Sequence, residues 1–185
     1  MPKPMTILIS GAPGTGKSTV QSRAPYFFRE RQGETAAMSL DEFYRLFDPR
    51  WTTNNHDWWT MAMANCLAMA INLFNAGVRV VVIEGNALYT KESVNNVLRK
   101  LLPFSTVYHI TLDAQLEVVT ARIRERGDID IHPPDWLAAY LDHIRSYYSD
   151  WTQVIDTSTL TPEDTLEAIA RHIVNGDGRL TNMLI

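Results

Sequence analysis

Cysteine is nearly absent: Cys66 is the only one in 185 residues. A lone thiol excludes an intramolecular disulfide and any zinc cluster built from cysteines, a usage that suits a reducing compartment. Cys66 itself reads as a small buried apolar side chain. Histidine is sparse too, and the five, at positions 56, 109, 132, 143 and 172, show no metal-ligand spacing. No apolar stretch approaches the roughly 18 residues that suggest a membrane span, and the N-terminus has no signal-peptide pattern. A soluble cytoplasmic protein with no membrane partner is therefore expected. Positive charge is not in excess: the net charge is −4, which argues against an extended nucleic-acid or membrane surface while leaving room for a local basic cleft. Internal repeats, low-complexity tracts and linkers are absent. A composition of 45% apolar and 21% charged residues fits one globular domain over residues 1–185, as a monomer or a homodimer.

What is present is concentrated near the N-terminus. Gly11-Ala12-Pro13-Gly14-Thr15-Gly16-Lys17-Ser18 follows the apolar run Met5–Ser10 and satisfies the G-x-x-x-x-G-K-[ST] pattern of a phosphate-binding loop between a strand and a helix. The glycines let backbone N–H groups turn inward around a polyphosphate, and the following helix aims its positive end at the same anion. Lys17 supplies a point charge for the β- and γ-phosphates, Ser18 a hydroxyl for Mg²⁺, and Thr19 extends the helix start.

Downstream, Ser18 to about Gln32 reads as helix, kinked or divided by Pro25. Thr35–Leu40 reads as a second strand that delivers Asp41 to its carboxyl end, where open α/β sheets place their ligands. Residues 42–57 read as irregular and aromatic, able to cover a pocket. Trp58–Asn75 is apolar nearly all round and predicts a buried helix ending at Gly77. Arg79–Ile83 is a β-branched run expected of a central parallel strand, followed by Glu84-Gly85-Asn86. Helices are predicted over 91–100, 114–126 and 135–148, the last capped by Asp135, with a fourth strand over Thr106–Leu112. A brief strand Val154–Asp156 precedes a final helix capped by Thr161, with Pro162 at its first position. The tail from Asn175 is expected to be peripheral. Strand and helix alternate five times, which implies an α/β protein with a parallel sheet flanked by helices on both faces.

Several polar groups fall where such a sheet would bring them to the phosphate loop. Transfer to an alcohol needs a group that orients the hydroxyl and accepts its proton, and Asp41 is placed for that task unless it only caps the helix that follows. Glu84 ends the third strand, where an acidic residue often holds the Mg²⁺ shell; contact with substrate and a structural role are the alternatives. Gly85 would permit close approach of a ligand, and Asn86 could hydrogen-bond it. Arg122 and Arg126 share a helix face and are suited to charge on a transferring phosphoryl group, or else form a solvated basic helix end. Asp156-Thr157-Ser158 after the last strand would lie beside a nucleotide base, or serve only as a cap. No Asn-Lys-x-Asp sequence is present to read guanine, which favours ATP over GTP. Trp51, Trp58, Trp59 and Tyr89 offer either core packing or a stacking wall for an acceptor.

Together, Gly11–Thr19, Asp41, Glu84, Arg122/Arg126 and Asp156–Ser158 resemble the small P-loop kinases of the gluconate kinase, shikimate kinase and chloramphenicol phosphotransferase group. That resemblance implies a three-layer αβα P-loop NTPase fold with a five-stranded parallel sheet in order 2-3-1-4-5. It also implies an arginine-bearing lid, here short and around residues 122–134, with Asp41 as the acceptor-activating carboxylate. Asp41-Glu42-Phe43-Tyr44-Arg45 also looks like the acceptor motif of phage polynucleotide 5′-kinases, which would give Arg45 a substrate phosphate to bind. The segment from Phe47 to Trp59 matches no acceptor pocket of these families. The expectation is an ATP- and Mg²⁺-dependent kinase of a small-molecule hydroxyl. A nucleic-acid 5′-hydroxyl kinase, or an ATP-binding regulatory module with weak ATPase activity, is the alternative.

Overall fold

The computed structural model describes residues 3–50 and 53–184; Trp51, one of the rings in the predicted aromatic wall, lies outside them. Strands β1 (Met5–Ser10), β2 (Thr35–Ser39), β3 (Val80–Glu84), β4 (Thr106–Asp113) and β5 (Gln153–Asp156) form a parallel sheet in the order β2-β3-β1-β4-β5. β1 and β3 are buried along their whole length, as strands covered on both faces must be, and alternation divides their side chains between the two layers. Leu8, Val81 and Ile83 face a core under α2 (Leu40–Arg45), α3 (His56–Asn75) and α4 (Lys91–Leu101). Ile7, Ile9, Val80 and Val82 face α1 (Lys17–Gln32) and α7 (Pro162–Asn175) on the other side. A third cluster, with Val119, Ile123, Leu137 and Leu141, joins α5 (Leu116–Glu125) to α6 (Pro134–Arg145) next to the phosphate loop. Each fully buried Val, Leu or Ile contributes about 1.5–3 kcal/mol.

The structure departs from the sequence expectations at several points. The sheet has a sixth strand: β6 (Arg179–Leu180) pairs antiparallel with β4, placing Leu180 opposite Val107 in the core. The tail expected to be peripheral is thus anchored, and Leu184 is held further by reciprocal hydrogen bonds with the Asn95 side chain (2.7 and 3.0 Å). Pro25 does not divide α1. Leu40, expected to close the second strand, and residues 42–45, expected to be irregular, lie with Asp41 in α2, which has Ser39 at its N-cap. α3 starts two residues before Trp58 because Asn55 Oδ1 accepts from the N–H groups of Asp57 and Trp58 (2.9 and 3.2 Å). It is not buried all round: Ala62, Cys66, Ala70 and Phe74 face the core while Met61 and Met69 are 51% and 47% exposed. Asp135 lies within α6, whose N-cap is Pro133. Thr161 does cap α7, in a reciprocal box with Asp164.

Candidate active site

Residues 11–16 turn the chain from β1 into α1. Gly11 has φ 141°, and a Cβ there would stand 2.3 Å from the Leu112 carbonyl oxygen, so no other residue type fits. α1 opens with Gly16 as a left-handed N-cap that has no side-chain cap, and its first turn holds no acidic residue. Its first amides and positive dipole end are thereby left for an anion. Within the loop, Thr15 Oγ1 and Lys17 Nζ donate to the Ala12 carbonyl (2.8 and 3.0 Å). Lys17 is 6% exposed. Burial pushes its pKa down, partly offset by the carboxylates of Glu84 and Asp41.

Those two carboxylates come from neighbouring parallel strands. Glu84 ends β3 and is 2% exposed, and its Oε2 has no hydrogen-bond partner among the described residues. Asp41 lies in the first turn of α2, where the 39–84 register between β2 and β3 brings it beside the turn after Glu84. It does not cap the helix; its Oδ1 accepts from the backbone N–H of Asn86 (3.4 Å). Gly85 makes this packing possible, since a Cβ there would meet the Leu40 Cβ at 2.9 Å. The close approach expected of a ligand at Gly85 is therefore made by α2. Burial, followed by the charge of Glu84, raises the Asp41 pKa to about 6, against the pull of Lys17, the Asn86 amide and Arg45.

Three cavities meet around these groups. The first, about 580 Å³, is walled by the phosphate loop with Lys17, Ser18, Asp41, Glu84, Arg126 and His132. The second, about 290 Å³, lies on the far side of Gly14–Gly16, between Arg122, Thr157, Leu160 and Pro162. The third, about 480 Å³, opens between α3, α4 and α6 and is lined by Trp59, Met63, Tyr89 and Tyr140. Asn86 lines both the first and the third, and the Asn86 Oδ1 is buried without a partner among the described residues.

The two arginines of the predicted pair differ in setting. Arg122 Nη2 donates to the Thr157 carbonyl (2.8 Å), and Nη1 to the Gly14 carbonyl and the Thr157 hydroxyl (3.3 and 3.2 Å). It braces the phosphate loop against the segment after β5. Arg126 lines both the first and the second cavity and pairs loosely with Asp128 (3.6 Å). Of the Asp156-Thr157-Ser158 group Thr157 lines the second cavity. Asp156 accepts from the Ser158 amide and hydroxyl (2.8 and 2.5 Å), bonds that hold its pKa down, and Ser158 Oγ accepts from the Gln115 amide (2.9 Å). Thr157 is fixed by the Asp113 carbonyl (2.8 Å to its N–H), and Asp113 in turn by Arg145 (3.0 and 3.1 Å).

Arg45 pairs with Glu42 (3.1 Å) and lines the first cavity together with Arg50, not the third. Trp59 and Tyr89 line the third cavity, whereas Trp58 packs against the core. Sequence reasoning missed Arg50, His132, Leu160 and Arg145, which belong to no motif and are brought in by the tertiary fold. Among the described residues no three His, Cys, Asp or Glu side chains come together to hold a metal, and no helix is long and apolar enough to cross a membrane. A Mg²⁺ ion, which keeps several waters and takes ligands from phosphates, needs fewer protein groups. The unpartnered Glu84 oxygen and the Ser18 hydroxyl on the same cavity fit that requirement.

Solved structures share this fold. A sugar kinase from Janibacter sp. HTCC2649 superposes with a TM-score of 0.66 at 17% identity, covering 92% of this chain and 95% of the other. The shikimate kinase of Acinetobacter baumannii, in complex with shikimate, gives 0.60 at 16%, covering 92% and 93%. A chain of the Pnkp1/Rnl/Hen1 RNA repair complex gives 0.57 at 18%, covering 80% of this chain and 47% of that one. At such identities the likeness is one of fold. No curated protein matches the sequence. The profile of the chloramphenicol phosphotransferase-like proteins, however, matches residues 4–174, and the chain belongs to that family of P-loop proteins with kinase neighbours.

Proposed function

We propose that the chain is an ATP- and Mg²⁺-dependent phosphotransferase that moves the γ-phosphoryl group to a hydroxyl of a small molecule. The observation that carries this reading is the position of Asp41. Its carboxyl, with a pKa raised to about 6, faces the cavity of Lys17 and Glu84 on one side and is tied through Asn86 to a separate cavity on the other. A group with that pKa is mostly ionised at pH 7 yet able to take a proton.

On this reading the loop amides and Lys17 hold the triphosphate, and the base lies between Leu160, Pro162 and Thr157. Glu84 and Ser18 hold the Mg²⁺ shell, where the ion would offset charge on the phosphate oxygens. An acceptor hydroxyl bound beside Asn86 gives its proton to Asp41 as its oxygen bonds to the γ-phosphorus. The bond to the bridging oxygen breaks and ADP leaves. Arg126, at the start of the 127–133 loop that would act as a lid, meets the charge spread over the equatorial oxygens.

None of the described residues lining the α3/α4/α6 cavity is Lys or Arg, which favours an acceptor without phosphate or carboxylate. Arg45 and Arg50 on the phosphate-loop cavity favour a second reading, transfer to the 5′-hydroxyl of a phosphate-bearing polynucleotide. A screen of ADP release against uncharged alcohols and glycosides, sugar acids, nucleosides and 5′-hydroxyl oligonucleotides separates them. Stimulation by an uncharged alcohol that disappears in Asp41→Asn supports the first, and labelling of oligonucleotides alone supports the second. ATP binding with no stimulation by any acceptor would point instead to a regulatory ATP-binding module.

A further inference from the structure

Three aromatic rings run in a column along α6. The His132 imidazole stacks on the Trp136 indole with centroids 4.9 Å apart and planes at 26°, and Trp136 stacks on Tyr140 at 4.8 Å and 10°. Residues four apart share a helix face, and His132, just before the Pro133 N-cap, continues that face beyond the helix end. The N–H groups of Ile131 and His132 both donate to the Asp128 carbonyl (3.1 and 3.0 Å). This turn sets the imidazole on the wall of the cavity that holds Lys17, Asp41, Glu84 and Arg126. The column therefore spans from the phosphate-loop cavity to the α3/α4/α6 cavity, which Tyr140 lines.

The ring has an unfilled bonding position. Nδ1 of His132 is buried with no hydrogen-bond partner among the described residues, and a buried polar atom left so costs the free energy of a missing hydrogen bond. Burial, with Arg126 and Lys17 nearby, also lowers the His132 pKa against the pull of Asp128, so the ring is neutral at pH 7. A neutral imidazole has one N–H to give and adds no cation to a wall that already carries Lys17, Arg45, Arg50 and Arg126.

We propose that His132 is a further phosphate-contacting residue of this site: closure of the 127–133 loop over the nucleotide brings its now buried Nδ1 hydrogen to an oxygen of the terminal phosphate, and the Trp136–Tyr140 stack fixes the plane of the ring. The inference rests on the nucleotide site described above and goes beyond it by giving the 127–133 loop a neutral donor specific to the γ-phosphate. It predicts discrimination between triphosphate and diphosphate.

The test is calorimetric titration of wild type, His132→Phe and His132→Gln with two probes, the Mg²⁺ complex of β,γ-imido-ATP and Mg·ADP. His132→Phe keeps an aromatic ring over Trp136 and removes the nitrogen; His132→Gln removes the ring and keeps an N–H donor. Expected is a weakening of β,γ-imido-ATP by about 10-fold in the Phe variant, the scale of one hydrogen bond to a charged group. ADP should change less than about 2-fold, and the Gln variant should lose less than the Phe variant. Equal effects on both nucleotides, no effect, or a larger loss in the Gln variant would overturn the proposal. In wild type the ring ¹⁵Nδ1 resonance of His132 should shift with β,γ-imido-ATP and not with ADP; identical responses would overturn it even were the Phe variant unfolded. A wild-type chain that bound neither nucleotide would remove the functional reading itself, an outcome distinct from these.

Discussion

The backbone N–H of Asn86 points at Oδ1 of Asp41 across 3.4 Å, joining the first turn of α2 to the loop after β3. The contact is long, so it orients the carboxyl without neutralising the cost of its burial beside Glu84. Asp41 is held as a destabilised carboxylate.

Replacing it separates function from stability. Asp41→Asn keeps shape and size, so nucleotide affinity should stay within about 2-fold while acceptor-dependent ADP release falls by roughly 10²-fold or more, the scale of a lost general base. The raised folded pKa means that ionised Asp41 costs stability, fully so above about pH 6. Removing the charge should stabilise the nucleotide-free protein at pH 7 by about 1–2 kcal/mol, after discounting for partial solvent screening. Urea unfolding of both proteins at pH 7 and pH 4 checks this, with the difference vanishing at the lower pH.

The same group sets an acid limb for turnover. Protonated Asp41 cannot accept a proton, so kcat/KM for the acceptor should rise with pH through about 6 and level off above it. A limb that persists unchanged in the residual activity of Asp41→Asn would assign it to another group.

His109 gives an opposite pH signature in stability. It is fully buried on β4, with Nδ1 on the Thr152 hydroxyl (2.6 Å) and Nε2 on the Leu88 carbonyl (2.7 Å). Burial lowers its pKa to about 4, against the Leu88 bond. The unfolded chain therefore binds more protons between about pH 6.5 and 4, and stability is complete above that window and lost as pH falls through it. About 2 kcal/mol should disappear between pH 7 and pH 5. His109→Gln, which has no proton to gain, should show a flatter profile in denaturant titrations.

Much of the site is legible in sequence where the constraint is local. The phosphate loop is read from eight consecutive residues, because its glycines and lysine answer to a geometry that those residues alone create. Asp41 and Glu84 are legible because alternating strands and helices place strand ends on one edge of a parallel sheet. The six-residue α2 is too short to show a period or to stand alone; its formation depends on Leu40 packing under Gly85, a contact 45 positions away. β6 is two residues long and is defined by β4, not by its own pattern. The i, i+4 spacing correctly puts Arg122 and Arg126 on one face. Where each guanidinium ends is decided by the carbonyls of Gly14 and Thr157, which no spacing reveals.

Glu84→Gln tests the cation. The substitution keeps the volume at the end of β3 and removes the charge that an ion shell would use. The Mg²⁺ concentration for half-maximal turnover should rise about 10-fold or more, the scale of altered metal-site partners. ADP binding in EDTA should hold within about 2-fold. Equal loss with and without Mg²⁺ would assign Glu84 to the loop's structure instead.

The arginine pair should divide its effects in the same manner. Arg122 donates to backbone carbonyls on both sides of the smaller cavity, so Arg122→Ala frees the phosphate loop from the segment after β5 and leaves buried carbonyls unsatisfied. It should weaken ADP and ATP alike and lower the thermal midpoint, the loss being of the order of 1–3 kcal/mol. Among the described residues the Arg126 side chain has the 3.6 Å contact with Asp128 to lose, and Arg126 lines both cavities beside the phosphate loop. Arg126→Ala should leave the midpoint and ADP affinity nearly unchanged and reduce kcat by about 10²-fold or more, because its guanidinium would meet the charge as it redistributes over the equatorial and bridging oxygens in the transition state. If Arg122→Ala lost kcat without losing nucleotide affinity, the brace seen here would have to open during turnover, and the two arginines would then act together on the phosphates.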